Sequence, residues 1–220
     1  MLINADFSRR VVLDTEAMPW LPSPQAGVER RMLDRIGQEQ ARATSLVRYA
    51  PASVYPAHQH PGGEEILVLS GTFVDGEVSH PVGSYLRNPP GSAHQPASPE
   101  GAVIFVKLRQ MHDAECESVR VNTLESARWQ PLPDRSVCPL FDGFGERVAM
   151  VRLDPGARLL DTNGAGAEVL LLEGALRERT GGDVDATFAW GTWLRFPAGD
   201  GLAFEAAEQG ARLYLKVKQP

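Results

Sequence analysis

Short apolar runs separated by turn residues recur along the whole chain. They are Thr44–Tyr49, Ile66–Leu69, Val103–Leu108, Val148–Leu153, Val169–Leu172 and Leu213–Val217. Each is rich in β-branched and aromatic residues, and none is long or periodic enough for a sustained helix. Between them, 21 glycines and 17 prolines recur as Pro-Gly, Gly-Gly, Asp-Gly and Pro-Pro pairs. Many short strands joined by tight turns make an all-β sandwich or barrel. The one helical expectation is a short turn near Ala26–Asp34.

The pattern also occurs twice. Gly101 to Gln110 matches Gly210 to Gln219 without a gap, and Glu65 to Gly71 matches Glu168 to Gly174. Gly83, Pro89 and Gly91 match Gly191, Pro197 and Gly199. Three matches in one order predict two copies of a β-unit. The boundary falls near the polar stretch Cys116–Asp134, giving domains of residues 1–115 and 116–220. Residues 1 to about 40 read as an arm that covers or extends the first barrel.

Composition narrows the class. Apolar residues make up 43% and the formal charge is −6. That is a globular balance without the basic face of a nucleic-acid binder. Cys116 and Cys138 stand far apart, without a CxxC partner, which points to a reducing compartment and no disulfide framework. Met1 to Asp6 lacks the pattern of a signal peptide, and no apolar stretch approaches the ~20 residues of a membrane span. A cytoplasmic protein is therefore expected.

The candidate chemistry lies in copy one. His58-Gln59-His60-Pro61-Gly62-Gly63-Glu64 reads HxHxxxE, and Gly83 to His94 reads GxxxxxPxGxxH. Residues two apart on a strand share a face, so His58 and His60 point the same way. Glu64 follows across a Pro-Gly-Gly turn, and His94 follows a Pro-Pro-Gly turn on another strand. Three imidazoles and one carboxylate suit a single divalent ion with positions left open. Glu65 competes with Glu64 but faces oppositely by alternation, and it pairs with Glu168 in a copy that lacks the other ligands. In copy two, His58, His60, Glu64 and His94 become Asp161, Asn163, Ala167 and Leu202, which predicts a metal-free barrel. His80 and His112 sit in polar, turn-like surroundings and are expected in solvent.

These motifs are those of the cupin superfamily, the double-stranded β-helix or jelly-roll barrel. The run from Trp20-Leu21-Pro22-Ser23-Pro24 through Gly27 to Asp34, Ala41 to Tyr49, His58 to Gly71 and Leu86 to His94 resembles the ChrR-type cupins more closely. Those are named for the sensor domain of a zinc-binding anti-sigma factor. The resemblance implies two tandem cupin barrels, the second degenerate, and one ion at His58, His60, Glu64 and His94. Zinc is the first expectation, with iron, nickel or manganese as alternatives. The helical domain that grips the sigma factor carries a His-x3-Cys-x2-Cys signature that this sequence lacks, so direct sigma-factor binding is not carried over.

Three functions follow as expectations. The first is a metal-binding sensor or regulatory protein. The second is an iron-dependent dioxygenase acting on a small ketone or diketone, since relatives with this site include such enzymes. The third is a structural barrel held by its metal. No catalytic side chain stands out. Tyr49, Tyr55, Arg87 and Lys107 are pocket candidates, each equally readable as strand packing or a solvated side chain. The expected partners are a small-molecule ligand and, since strand edges invite pairing, a second copy of the chain. No nucleic acid and no membrane are expected.

Overall fold

The structure is a computed structural model that describes residues 1–38, 40–159, 164–180, 183–200 and 203–218. Strands dominate it. Among the described residues the only helix is a single 3-10 turn, Ser126–Arg128, and no helix is long and apolar enough to cross a membrane. The backbone divides into two compact units. One comprises Met1–Ala5 with Met18–Leu124, the other Asp6–Ala17 with Glu125–Pro220.

In the first unit the antiparallel order is Leu2–Ile3, Val28–Ile36, Arg42–Tyr49, Ala102–Leu108, Glu64–Asp75, Ser84–Asn88 and Val119–Asn122. Strand Glu64–Asp75 is long enough to serve two neighbourhoods. Its first half pairs with Ala102–Leu108 and Ser84–Asn88, its second with Val78–Pro81 and Pro96–Ser98. Alternate residues face a core of Val28, Tyr49, Ile66, Val68, Phe73, Leu86, Ile104 and Val106. The expected helical turn at Ala26–Asp34 is instead the strand Val28–Ile36. Its run of charges is accommodated on a sheet because Arg48 pairs with Glu29 across the strands, while the guanidinium groups of Arg31 and Arg48 lie over the Trp20 ring.

In the second unit the order is Gln130–Leu132, Arg135–Gly143, Glu146–Leu153, Phe204–Lys218, Gly166–Thr180, Thr192–Phe196 and Val11–Asp14. The repeats read from the sequence occupy matching places. Gly71 faces Ala102 as Gly174 faces Ala211. Both glycines have positive φ, and a Cβ would lie 2.0 Å from the Gly101 carbonyl oxygen or 2.1 Å from that of Gly210. Only glycine fits such an approach.

The arm differs from expectation. Val11–Asp14 pairs with Thr192–Phe196 of the second unit, whereas Val119–Asn122 pairs with Ser84–Asn88 of the first. Thr15 and Thr123 finish these strands alike. Each donates both its backbone N–H and its hydroxyl to a glycine carbonyl, Gly191 for one and Gly83 for the other. The two cysteines are free thiols, Cys116 exposed and Cys138 buried.

Candidate metal centre

Backbone pairing brings the three histidines together. Strand His58–His60 pairs with Ser92–His94, with His94 directly opposite His58 and Ser92 opposite His60. Opposed residues in an antiparallel pair share a face, so His58, His60 and His94 converge. Their ring nitrogens lie within 4.8 Å of one another. His60 Nε2 stands 2.9 Å from His94 Nε2.

Glu64 joins the cluster from the next strand. Its Oε2 lies 3.5 Å from His60 Nε2 and 3.4 Å from His94 Nε2. The intervening Pro61-Gly62-Gly63 turn has no room for side chains at its glycines. A Cβ on Gly63 would meet Met111 Sδ at 2.3 Å, and one on Gly62 would meet Arg109 Cα at 2.9 Å. Glu65 takes the opposite face, where the buried Arg87 guanidinium donates to it at 3.1 Å and to Glu115 at 2.7 Å.

The donor set fits a divalent ion. Atoms about 2.0–2.1 Å from one ion are separated by about 2.9–3.4 Å, close to the spacings seen among His60, Glu64 and His94. Burial, reinforced by the neighbouring imidazoles, lowers the His60 pKa to about 3, and burial lowers that of His94 too. Neutral imidazoles keep the lone pairs a metal needs. Burial raises the Glu64 pKa to about 8. Its carboxyl therefore holds a proton that a cation would displace.

A second layer orients these groups. The His58 ring meets the Pro56 carbonyl through Nδ1 at 2.8 Å; with that nitrogen as donor, Nε2 is the lone-pair nitrogen. His94 Nδ1 stands 3.3 Å from Asp75 Oδ1. Asn88 Nδ2 donates to Glu64 Oε2 at 3.1 Å, and Arg120 Nη2 donates to Asn88 Oδ1 at 2.6 Å. Asn88 and Asp75 escaped the sequence reading, yet alternation could have found them. Leu86 and Phe73 face the core, so Asn88 and Asp75, two residues on, are polar groups at inward positions.

A cavity of about 750 Å³ borders His58, His60 and Glu64. Tyr49 and Tyr55 line it, and the Tyr55 ring packs against His58 at 4.9 Å between centroids. Arg87 and Lys107, the other pocket candidates, lie on the far face of their strands. Arg87 holds Glu65 and Glu115, and Lys107 donates to Thr44 at 3.0 Å. His80, expected in solvent, is buried because Val78–Pro81 folds back to place it opposite Phe73. His112 is exposed, as expected.

In the second unit the position matching Glu64 is Ala167, opposite Phe196, and both belong to the apolar core. The counterparts of the histidines, Asp161, Asn163 and Leu202, lie outside the described residues.

Residues 8–112 match the family model for the ChrR Cupin-like domain. A search of curated proteins returned no match. Several solved structures are similar in fold. A Nostoc punctiforme protein provisionally assigned as a dioxygenase aligns with TM-score 0.73 at 16% identity, over 96% of this chain and 83% of that one. The protein Ylba from E. coli aligns with TM-score 0.70 at 16% identity, over 96% and 92%. The pirin YhhW from Escherichia coli, solved with nickel(II), aligns with TM-score 0.68 at 8% identity, over 96% and 100%. At these identities the likeness concerns the fold. The all-β architecture, the paired histidine strands and the family match agree: residues 8–112 match a ChrR-type cupin domain, and the fold is that of the similar cupin structures.

Proposed function

We propose that the chain holds one divalent ion, zinc in the first instance, through His58, His60, Glu64 and His94. In this reading it acts as a sensor or regulatory cupin whose ion meets a small molecule in the adjoining cavity. The observation that carries it is the convergence of three imidazoles on a buried carboxylate at spacings suited to one ion. The apolar surroundings of Ala167 support a stoichiometry of one ion per chain.

A second reading is an iron-dependent oxygenase acting on a small ketone or diketone. The cavity favours it, because its walls include three of the four ligands and a chelating substrate can enter from that side. The fold likeness to the Nostoc punctiforme protein points the same way. The bound ion would supply Lewis acidity and open coordination positions. The chain's own residues would orient the ligands and exclude water.

Elemental analysis of protein purified without a metal-chelating column tests the first claim. One equivalent of metal in the wild type, lost in His60→Ala, is the expected result. Equal metal content in both, or two tightly held equivalents, would sink it. Oxygen uptake by iron-loaded protein on pentane-2,4-dione and related diketones selects the oxygenase. Stoichiometric zinc without uptake selects the sensor.

A further inference from the structure

The cavity beside the histidines is charged in an unusual way. Its lining holds a single carboxylate, Glu64, and three arginines, Arg30, Arg35 and Arg109. We infer that it takes an organic anion, a small molecule that chelates the metal through oxygen atoms and carries a carboxylate at its other end. This deepens the metal-site reading above and rests on it.

Strand register places the arginines around the site. Glu64 faces Leu108, Leu108 faces Ala43, and Ala43 faces Arg35, one row across four adjacent strands. At about 4.8 Å per strand the row spans roughly 14 Å along the curved wall. Arg109 follows Leu108 immediately. Its backbone N–H donates to the Gly63 carbonyl at 3.1 Å, which fixes it over the turn between His60 and Glu64. Arg30 lies beside Val47, whose other neighbour is Ile104, and these two residues give the cavity an apolar wall for a carbon skeleton.

The charges nearby are handled differently. On the same two strands, Arg48 pairs with Glu29, and Arg42 reaches Asp34 at 3.6 Å. Arg30 and Arg109, by contrast, donate to neutral acceptors, Ser23 Oγ and Gln40 Oε1. A divalent ion brings two positive charges and Glu64 offsets one, so the loaded cavity carries a net positive charge. Field lines in such a concave, partly apolar site are focused, and an entering anion is drawn in. Guanidinium forks match carboxylate geometry.

The test compares two diketones of equal chain length on the full chain. Titration calorimetry measures 4,6-dioxoheptanoate against heptane-2,4-dione, in zinc-loaded and metal-free protein. The acid should bind about ten-fold tighter or more in either form. The gap should shrink as ionic strength rises. It should close in the Arg30→Gln/Arg109→Gln double variant and return in the Arg30→Lys/Arg109→Lys variant, while the neutral diketone binds all of them alike. Equal affinity for acid and neutral diketone in the wild type overturns the inference, as does a gap that the glutamine variant leaves unchanged. If the double variant does not fold, Arg30→Gln alone and the ionic-strength dependence decide. Failure of the metal-site reading looks different: the wild type takes up no zinc, yet an acid preference in the metal-free protein still supports the anion site.

Discussion

Asn88→Ala tests the metal centre through a residue that is not itself a ligand. Asn88 is buried, donates to Glu64 Oε2 at 3.1 Å, and is itself oriented by Arg120. Its amide favours the charged form of a carboxyl whose pKa burial has already raised to about 8. Removing it raises that proton affinity further and frees the carboxylate to turn. A hydrogen bond to a charged group is worth about 1.5–3 kcal/mol. A support of this kind typically accounts for about 10- to 100-fold in metal affinity. The sign of the pH effect follows from proton displacement. The deficit should be largest near neutrality, where the proton competes with the metal, and should narrow as pH rises toward about 9. Competition against a chromophoric zinc chelator measures the affinity, and thermal melting of the metal-free protein checks the fold. A folded Asn88→Ala protein that binds zinc within about two-fold of the wild type would mean that Glu64 is not a ligand.

Three further outcomes are expected. Arg87→Met should destabilise the protein by about 3–5 kcal/mol in urea unfolding, because the buried carboxylates of Glu65 and Glu115 lose the Arg87 guanidinium; a loss under about 1 kcal/mol would refute the electrostatic account of that face. Glu146 is buried, and Lys216 and Lys218 hold its carboxyl pKa below the ordinary 4.5 despite that burial. Its stabilising contribution is therefore present above pH 4.5 and lost as pH falls through the lowered folded value, so Glu146→Gln should flatten the acid limb of a stability–pH curve. Gly71→Ala and Gly174→Ala should each cost at least about 3 kcal/mol, since a left-handed backbone and a carbonyl clash add together. Gly91→Ala, which meets nothing within 4 Å, should cost only the backbone part, and equal losses at all three positions would refute the clash.

The all-β class and the histidine cluster were legible because each rests on local rules. Strand alternation puts His58 and His60 on one face, and the Pro-Gly-Gly turn returns Glu64 to them. The strand Val28–Ile36 was hidden because Glu29, Arg30, Arg31, Asp34 and Arg35 break any apolar alternation. What makes it a strand is tertiary: the Trp20 ring under two guanidinium groups and the Arg48–Glu29 pair. The same holds for Arg87 and Lys107, buried charges whose partners Glu115 and Thr44 are distant in sequence. Composition alone reads them as solvated.

The strand at Val11–Asp14 has a consequence for how the chain is cut. The sequence repeat and the compact structural unit are out of phase by one strand, because each copy's leading segment completes the sheet of the other unit. A fragment that follows the repeat, residues 116–220, would lack one of the two strands that flank Thr192–Phe196 and expose a raw edge with buried residues beside it. A circular permutant that keeps Val11–Asp14 covalently next to the second copy would repair this. The two halves are thus interlocked by one strand each: the second sheet has an apolar Ala167 where the first has Glu64, yet each sheet is completed by a segment of the other copy.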